Sequence, residues 1–156
     1  MPITYNKVEC RIHLAAIRHN FELLQRAGGN VMPVVKADAY GHGLVEVSRM
    51  LADAGANEFF AGTVEESVAL REALPKARVT ALLGPLEPAE FQAMAEHGVT
   101  ALVMRMGMLE QLDEVAEAER PVEVCLKFDT GMGRLGFTKA QVPGLVAFLK
   151  DHRSEE

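Results

Sequence analysis

From Leu14 to Gln25 the apolar positions Leu14, Ile17, Phe21 and Leu24 recur at helical spacing, and Gly28-Gly29 end the pattern. Val31 to Val35 is a short apolar run that reads as a strand. After a glycine-containing break, Leu44, Val47, Leu51 and Ala54 line one face of a second helix that stops at Gly55. The alternation then repeats. Phe59 to Gly62 is strand-like and Val64 to Leu74 helical; Val79 to Leu83 is strand-like and Pro88 to Glu96 helical. Thr100 to Met104 precedes a helix from about Met108 to Ala118, and Val122 to Phe128 precedes a last helix from about Ala140 to Lys150.

Short apolar runs alternating with helices of ten or so residues predict βαβ units and a parallel sheet of about five strands. The units share no motif that would mark a solenoid, which leaves a barrel or an open doubly wound sheet. A closed (β/α) barrel has eight strands and usually ~250 residues. Five strands followed by the polar tail Asp151 to Glu156 therefore predict an incomplete barrel whose open edges must be covered, paired or prone to association.

At 156 residues and 49% hydrophobic, the chain can bury a core, and one domain is the starting expectation. A net charge of -6 without a run of Lys or Arg offers nothing to a nucleic-acid backbone or an anionic membrane. Cys10 and Cys125 stand apart from each other and from any histidine cluster, so two reduced thiols are expected, with neither a disulfide framework nor a metal site. Met1 to Glu9 has no apolar h-region, and no uncharged apolar stretch reaches the ~18 residues of a membrane span. The expectation is a soluble, cytoplasmic protein.

Two segments could carry chemistry. In Val34-Val35-Lys36-Ala37-Asp38-Ala39-Tyr40-Gly41-His42-Gly43, a lysine closes an apolar strand, at the end where α/β folds build their sites. Desolvation there would favour the free amine, a nucleophile toward an aldehyde. The bland alternative is that Lys36 is simply the first solvated residue after a strand. Tyr40 and His42 offer hydrogen-bonding tips and the glycines a close backbone approach, as in a phosphate or cofactor loop; a plain glycine-rich turn reads equally well.

The second segment is Lys127-Phe128-Asp129-Thr130-Gly131-Met132-Gly133-Arg134-Leu135-Gly136-Phe137. It holds a literal G-x-G-x-x-G at Gly131, Gly133 and Gly136, but no helix opens on it, since the next one begins only near Thr138 with Pro143 in its first turn. A dinucleotide fingerprint is therefore rejected. Arg134 is a planar bidentate donor suited to a carboxylate or phenolate, while Lys127, Asp129 and Arg134 could equally form a structural charge network. His13, His97 and His152 lack a paired nucleophile or ligand in sequence. Met104, Met106 and Met108 read as packing residues, and Glu65 and Glu66 after Thr63 as a helix start.

Taken together, VVKADAYGHG and KFDTGMGRLGF resemble the two signature stretches of the alanine racemase family. Between them lie Ala81 to Leu86, the EE-x-x-x-LRE stretch from Glu65 to Glu72, and the His19-Asn20 pair precedes both, so the resemblance covers essentially the whole chain.

The resemblance implies a parallel (β/α) barrel of the TIM type, with residues 1–156 forming the amino-terminal part of its pyridoxal 5′-phosphate (PLP) binding domain and a carboxyl-terminal β domain absent. It implies that Lys36 holds PLP as a Schiff base, that Tyr40 lies near the cofactor phosphate, and that Arg134 bonds the cofactor phenolate and the substrate carboxylate. Lys127 takes the place of a lysine that family members often carbamylate. The implied activity is interconversion of L- and D-alanine for peptidoglycan by a cytoplasmic homodimer. It needs two bases: Lys36 on one face, and on the other a tyrosine from the partner subunit, which neither Tyr5 nor Tyr40 supplies. The chain alone is accordingly expected to be a poor racemase. Competing expectations are a racemase for another amino acid such as serine, a non-catalytic PLP carrier of related half-barrel type, and an inactive, self-associating fragment.

Overall fold

The computed structural model describes residues 9–116 and 121–151. Tyr5, His152, most of the polar tail and the final residues of the helix expected to reach Ala118 lie outside them.

Among the described residues, six right-handed helices surround a parallel sheet. Helix α1 spans Leu14–Gly28, α3 Leu44–Asp53, α4 Val64–Ala73, α5 Pro88–His97, α6 Met106–Val115 and α7 Val142–Asp151; the short element α2, Lys36–Gly41, is a different kind of turn. The strands are β1 Glu58–Ala61, β2 Arg78–Ala81, β3 Thr100–Val103 and β4 Val124–Leu126, hydrogen-bonded side by side in chain order. Every pairing is parallel. Strands that succeed one another without a reversal of order follow the progression of a barrel; a doubly wound sheet would turn back at its switch point.

Local chemistry explains the boundaries. Thr63 and Glu66 close a capping box at the start of α4, with Glu66 N–H donating to Thr63 Oγ1 at 3.1 Å. At α5 the box is made by Glu87 and Glu90, Pro88 occupies the first turn, and Gly98 ends the helix in the left-handed conformation. All four residues of β3 are buried, as expected of a parallel strand covered on both faces.

One expected element is reduced. Val31 to Val35 does not form a regular strand: it joins the sheet by a single parallel bridge, Val34 to Phe60. Val35 N–H donates to Phe60 O at 2.8 Å, and Phe60 N–H to Pro33 O at 2.9 Å. Pro33 has no N–H to extend the ladder backward, and the chain leaves the extended conformation at Val35, whose ψ is 20°. Four strands and one bridge thus take the place of five strands.

Two apolar clusters fill the structure. One gathers Phe21, Val35, Leu51, Phe59, Leu70 and Val79. The other gathers Val64, Phe91, Met94, Leu109, Phe137 and Leu145. Met108 is buried and Met104 and Met106 pack against this second cluster, as packing residues should. Within the apolar stripe expected of α1, Phe21 is buried whereas Leu24 is 59% exposed. Cys10 and Cys125 are free thiols. Among the described residues, no helix is long and apolar enough to cross a membrane.

Candidate functional site

The bridge to Phe60 delivers Lys36 to the carboxyl-terminal edge of the sheet, beside the end of β1. The four residues after it depart from the expected loop. Ala37, Asp38, Ala39 and Tyr40 have φ of 52°, 53°, 51° and 57°, one turn of left-handed helix built without glycine. L-residues pay roughly 1–2 kcal/mol each for this conformation and usually enter it singly, so the rest of the fold must hold the turn.

The bonds that hold it are specific. Ala39 N–H donates to Val35 O at 2.8 Å and Gly43 N–H to Asp38 O at 3.0 Å. Asp38 Oδ1 accepts Leu44 N–H at 2.7 Å, which fastens the turn to the start of α3. Asp38 N–H donates to Glu66 Oε1 at 2.9 Å, while Glu66 Oε2 accepts Gly62 N–H at 2.9 Å. His42 lies with Nδ1 2.9 Å from Ala39 O, a bond that requires the proton on Nδ1. His42 therefore serves the turn itself.

Gly62 marks a close approach. A Cβ there would lie 2.8 Å from Glu66 Oε2 and 3.1 Å from Lys36 Cβ. The lysine stem runs over bare backbone, and its Nζ stands 5.9 Å from the centre of the Tyr40 ring. Lys36 and Tyr40 are both exposed, Tyr40 at 62%. The desolvation expected of Lys36 is thus not supplied by the described residues.

The second signature leaves the end of β4. Lys127 N–H donates to Val103 O at 2.9 Å, Phe137 N–H to Lys127 O at 2.7 Å and Asp129 N–H to Phe137 O at 2.9 Å, so Lys127–Phe137 closes as a tied loop. Asp129 Oδ1 accepts the N–H groups of Gly131 and Gly133, both at 3.0 Å. Those bonds, Gly131 first, with a smaller contribution from the charge of Lys127, hold the Asp129 carboxyl below its ordinary pKa. The glycines of the rejected fingerprint serve this aspartate and the loop closure, and the next helix starts only after a 3₁₀ turn at Lys139–Gln141.

Arg134 takes no part in that network. Among the described residues its guanidinium has no hydrogen bond or ion pair, and the charge-network reading of Lys127, Asp129 and Arg134 reduces to Lys127 acting through space on Asp129. Arg134 lines a cavity of about 560 Å³ with Leu83, Pro85, Met104, Arg105 and Asp129, at the carboxyl-terminal ends of β2, β3 and β4. Lys36, Tyr40 and Lys127 are not among its walls.

All four proposed site residues thus stand on one edge of the sheet but in two groups. Lys36 and Tyr40 flank β1; Lys127 and Arg134 follow β4. From the Val34 bridge to β4 is four strand spacings, roughly 19 Å along the sheet. Glu66 and Asp38, which shape the lysine turn, were not singled out for this role. The helix start at Thr63, Glu65 and Glu66 was legible in sequence, but not the reach of the second Glu66 carboxylate oxygen to a turn 28 residues away.

Comparison with known proteins agrees with both signatures. The family described as "Alanine racemase, N-terminal domain" matches residues 12–155. An alanine racemase of Nitratidesulfovibrio vulgaris (Miyazaki F) is 44% identical over 146 residues, covering 94% of this chain and 39% of that protein. The solved biosynthetic alanine racemase of Pseudomonas aeruginosa superposes with a TM-score of 0.80 at 34% identity, covering 89% of this chain and 39% of the other. The alanine racemase structure from E. faecalis gives 0.81 at 30% identity, over 90% and 39%. The chain spans about two fifths of the length of these relatives, and it belongs to the alanine racemase family through that family's amino-terminal domain.

Proposed function

We propose that this chain serves a cytoplasmic, PLP-dependent racemase that interconverts L- and D-alanine and so supplies D-alanine for peptidoglycan. The observation that carries the reading is the placement of Lys36: an amine at the carboxyl-terminal end of a sheet-bound segment, immediately before a strained turn, with a phenol beside it and an unpaired guanidinium on the same sheet edge. Strain of this kind persists where the surroundings over-determine it, commonly at functional sites.

The donor set fits pyridoxal 5′-phosphate. Lys36 Nζ suits its aldehyde, the Tyr40 hydroxyl its phosphate, and Arg134 the phenolate and the carboxylate of an amino acid. When bound, the cofactor supplies an electron sink that acidifies the α proton of the amino acid. Lys36 Nζ would remove and return that proton on one face. Arg134 would fix the carboxylate in two bonds, with no partner among the described residues to surrender first. Lys127, half-buried at the mouth of its tied loop, would carry a carbamate that orients Arg134. The opposite face needs a second base, which the family resemblance assigns to a tyrosine of a partner subunit, hence a homodimer.

The test is chemical. The protein is mixed with PLP, reduced with borohydride and mapped by peptide mass spectrometry, and D-alanine formed from L-alanine is followed by chiral chromatography with L-serine as competitor. A pyridoxyl adduct at Lys36 that disappears in Lys36→Ala supports the reading; labelling scattered over exposed lysines overturns it. Faster turnover of serine would reassign the substrate. A non-catalytic PLP carrier would label at Lys36 without racemising, and the unpaired Arg134 argues against it, since a carrier has no carboxylate to clamp.

A further inference from the structure

Four successive residues without glycine sit in the left-handed region immediately after Lys36, and one side chain outside the turn bonds to their backbone across a long sequence distance. That side chain is Glu66, and its two oxygens divide their work. Oε2 faces its own helix start, 2.9 Å from Gly62 N and 3.4 Å from Thr63 N. Oε1 reaches away from the helix to Asp38 N at 2.9 Å. Asp38 in turn accepts Leu44 N–H through Oδ1, so the chain of bonds runs from α4 through the lysine turn to α3.

We propose that Glu66 is a positioning residue for Lys36: its carboxylate holds the left-handed turn that sets the direction of the lysine, beyond its ordinary task of capping α4. The geometry around Gly62 points the same way. The Glu66 carboxylate and the Lys36 stem both lie over this glycine, each within 3.1 Å of where a Cβ would stand, so they occupy adjoining places on one bare stretch of backbone. A capping glutamate needs only the amides at its own helix start. The bond to Asp38 contributes nothing to the cap, and it fixes the second of four residues in a conformation the chain would otherwise leave. The inference rests on the reading of Lys36 as the cofactor-bearing amine, but its first readout does not depend on the cofactor.

The experiment compares Glu66→Ala with Thr63→Ala, which removes the cap but not the turn bond. Amide hydrogen exchange at Asp38 is measured without ligand, and the yield of borohydride-fixed pyridoxyl adduct at Lys36 is measured at limiting PLP, with the exposed Lys76 and Lys139 as internal references. In Glu66→Ala the Asp38 amide is expected to exchange about tenfold faster or more, and the Lys36 adduct to fall relative to both references. In Thr63→Ala the melting temperature falls while Asp38 exchange and Lys36 labelling stay as in the parent. Should Glu66→Ala fail to fold, Glu66→Gln keeps one acceptor oxygen and a competent capping side chain, and loss of Lys36 adduct yield with a retained melting temperature supports the proposal. Unchanged Asp38 exchange in Glu66→Ala, or unchanged adduct yield in a folded Glu66→Gln whose Asp38 amide exchanges faster than the parent's, overturns it, as does an equal response in Thr63→Ala. If the parent itself gives no Lys36 adduct, the cofactor reading fails while the exchange result still decides whether Glu66 holds the turn.

Discussion

Asp129 Oδ1 accepts the backbone N–H of Gly133 at 3.0 Å, and the arginine one residue further on is left without a partner among the described residues. The aspartate turns toward the backbone of its own loop rather than toward the guanidinium. This separates the two charges that sequence alone would pair, and it makes the loop, not an ion pair, the structure that presents Arg134.

Stability of this loop depends on pH. The Gly131 and Gly133 N–H bonds favour the charged carboxylate and lower its pKa in the folded loop. A depressed folded pKa gives stability that is present above the unfolded aspartate value, about 3.9, and lost as pH falls through the folded value. The Gly131 and Gly133 amide resonances are therefore expected to titrate together with a midpoint below that of an unstructured aspartate. A midpoint at or above the peptide value would show that these bonds do not form.

Gly136 is the closing point of the same loop. It has φ of +122°, and a Cβ there would lie 2.8 Å from Asp129 N and Phe128 C and 2.9 Å from Lys127 O. All three are backbone atoms that cannot swing aside. Gly136→Ala is expected to cost about 2 kcal/mol, a fall in Tm of roughly 4–8 °C, measurable by calorimetry. Gly131→Ala, where nothing lies within 4 Å but φ is +133°, separates backbone strain from steric contact.

Much of this was legible in sequence because it is local. Every expected helix formed within a few residues of its periodic pattern, and Thr63 followed by Glu65 and Glu66 announced a helix start. The parallel pairing followed from βαβ alternation, which by itself left the strand order open between a barrel and a doubly wound sheet. The left-handed turn was not legible, because Ala37, Ala39 and Tyr40 carry no signal for positive φ and a single aspartate does not announce a run of four; bonds from Glu66 and Leu44 to Asp38 hold it. The shortening of Val31 to Val35 to one bridge depends on Pro33 and on that same turn. For the site, sequence placed Lys36 and Arg134 on one sheet edge, but the described residues do not supply the desolvation expected of Lys36, since exposure is a property of what packs above a residue and not of the residue.

Arg71, in the Glu65 to Glu72 stretch, has a structural task. Its Nε donates to His97 O at 3.1 Å and its Nη1 to Pro75 O at 3.1 Å and Ala77 O at 2.6 Å. One fork thus ties α4 to the end of α5 and to the turn entering β2. Lysine keeps the charge but not the fork. Arg71→Lys is expected to destabilise by about 1–3 kcal/mol, read from chemical denaturation, with no change in the position of the PLP adduct.

Arg134→Lys should behave in the opposite way. Arg71 is engaged on three carbonyls, whereas Arg134 is exposed and makes no bond among the described residues, so folding gains nothing from its guanidinium. The melting temperature of Arg134→Lys is expected to stay within about 1 °C of the parent, as for surface substitutions away from special contacts. If Arg134 clamps the substrate carboxylate, the loss of bidentate geometry removes orientation while the charge remains. Racemisation by the enzyme is then expected to fall by about a hundredfold, with the Lys36 adduct still formed. A large drop in Tm would mean that the guanidinium of Arg134 supports the fold, and an unchanged rate would remove it from the site. Stability retained with activity lost is the combination that a clamp predicts and a structural arginine does not.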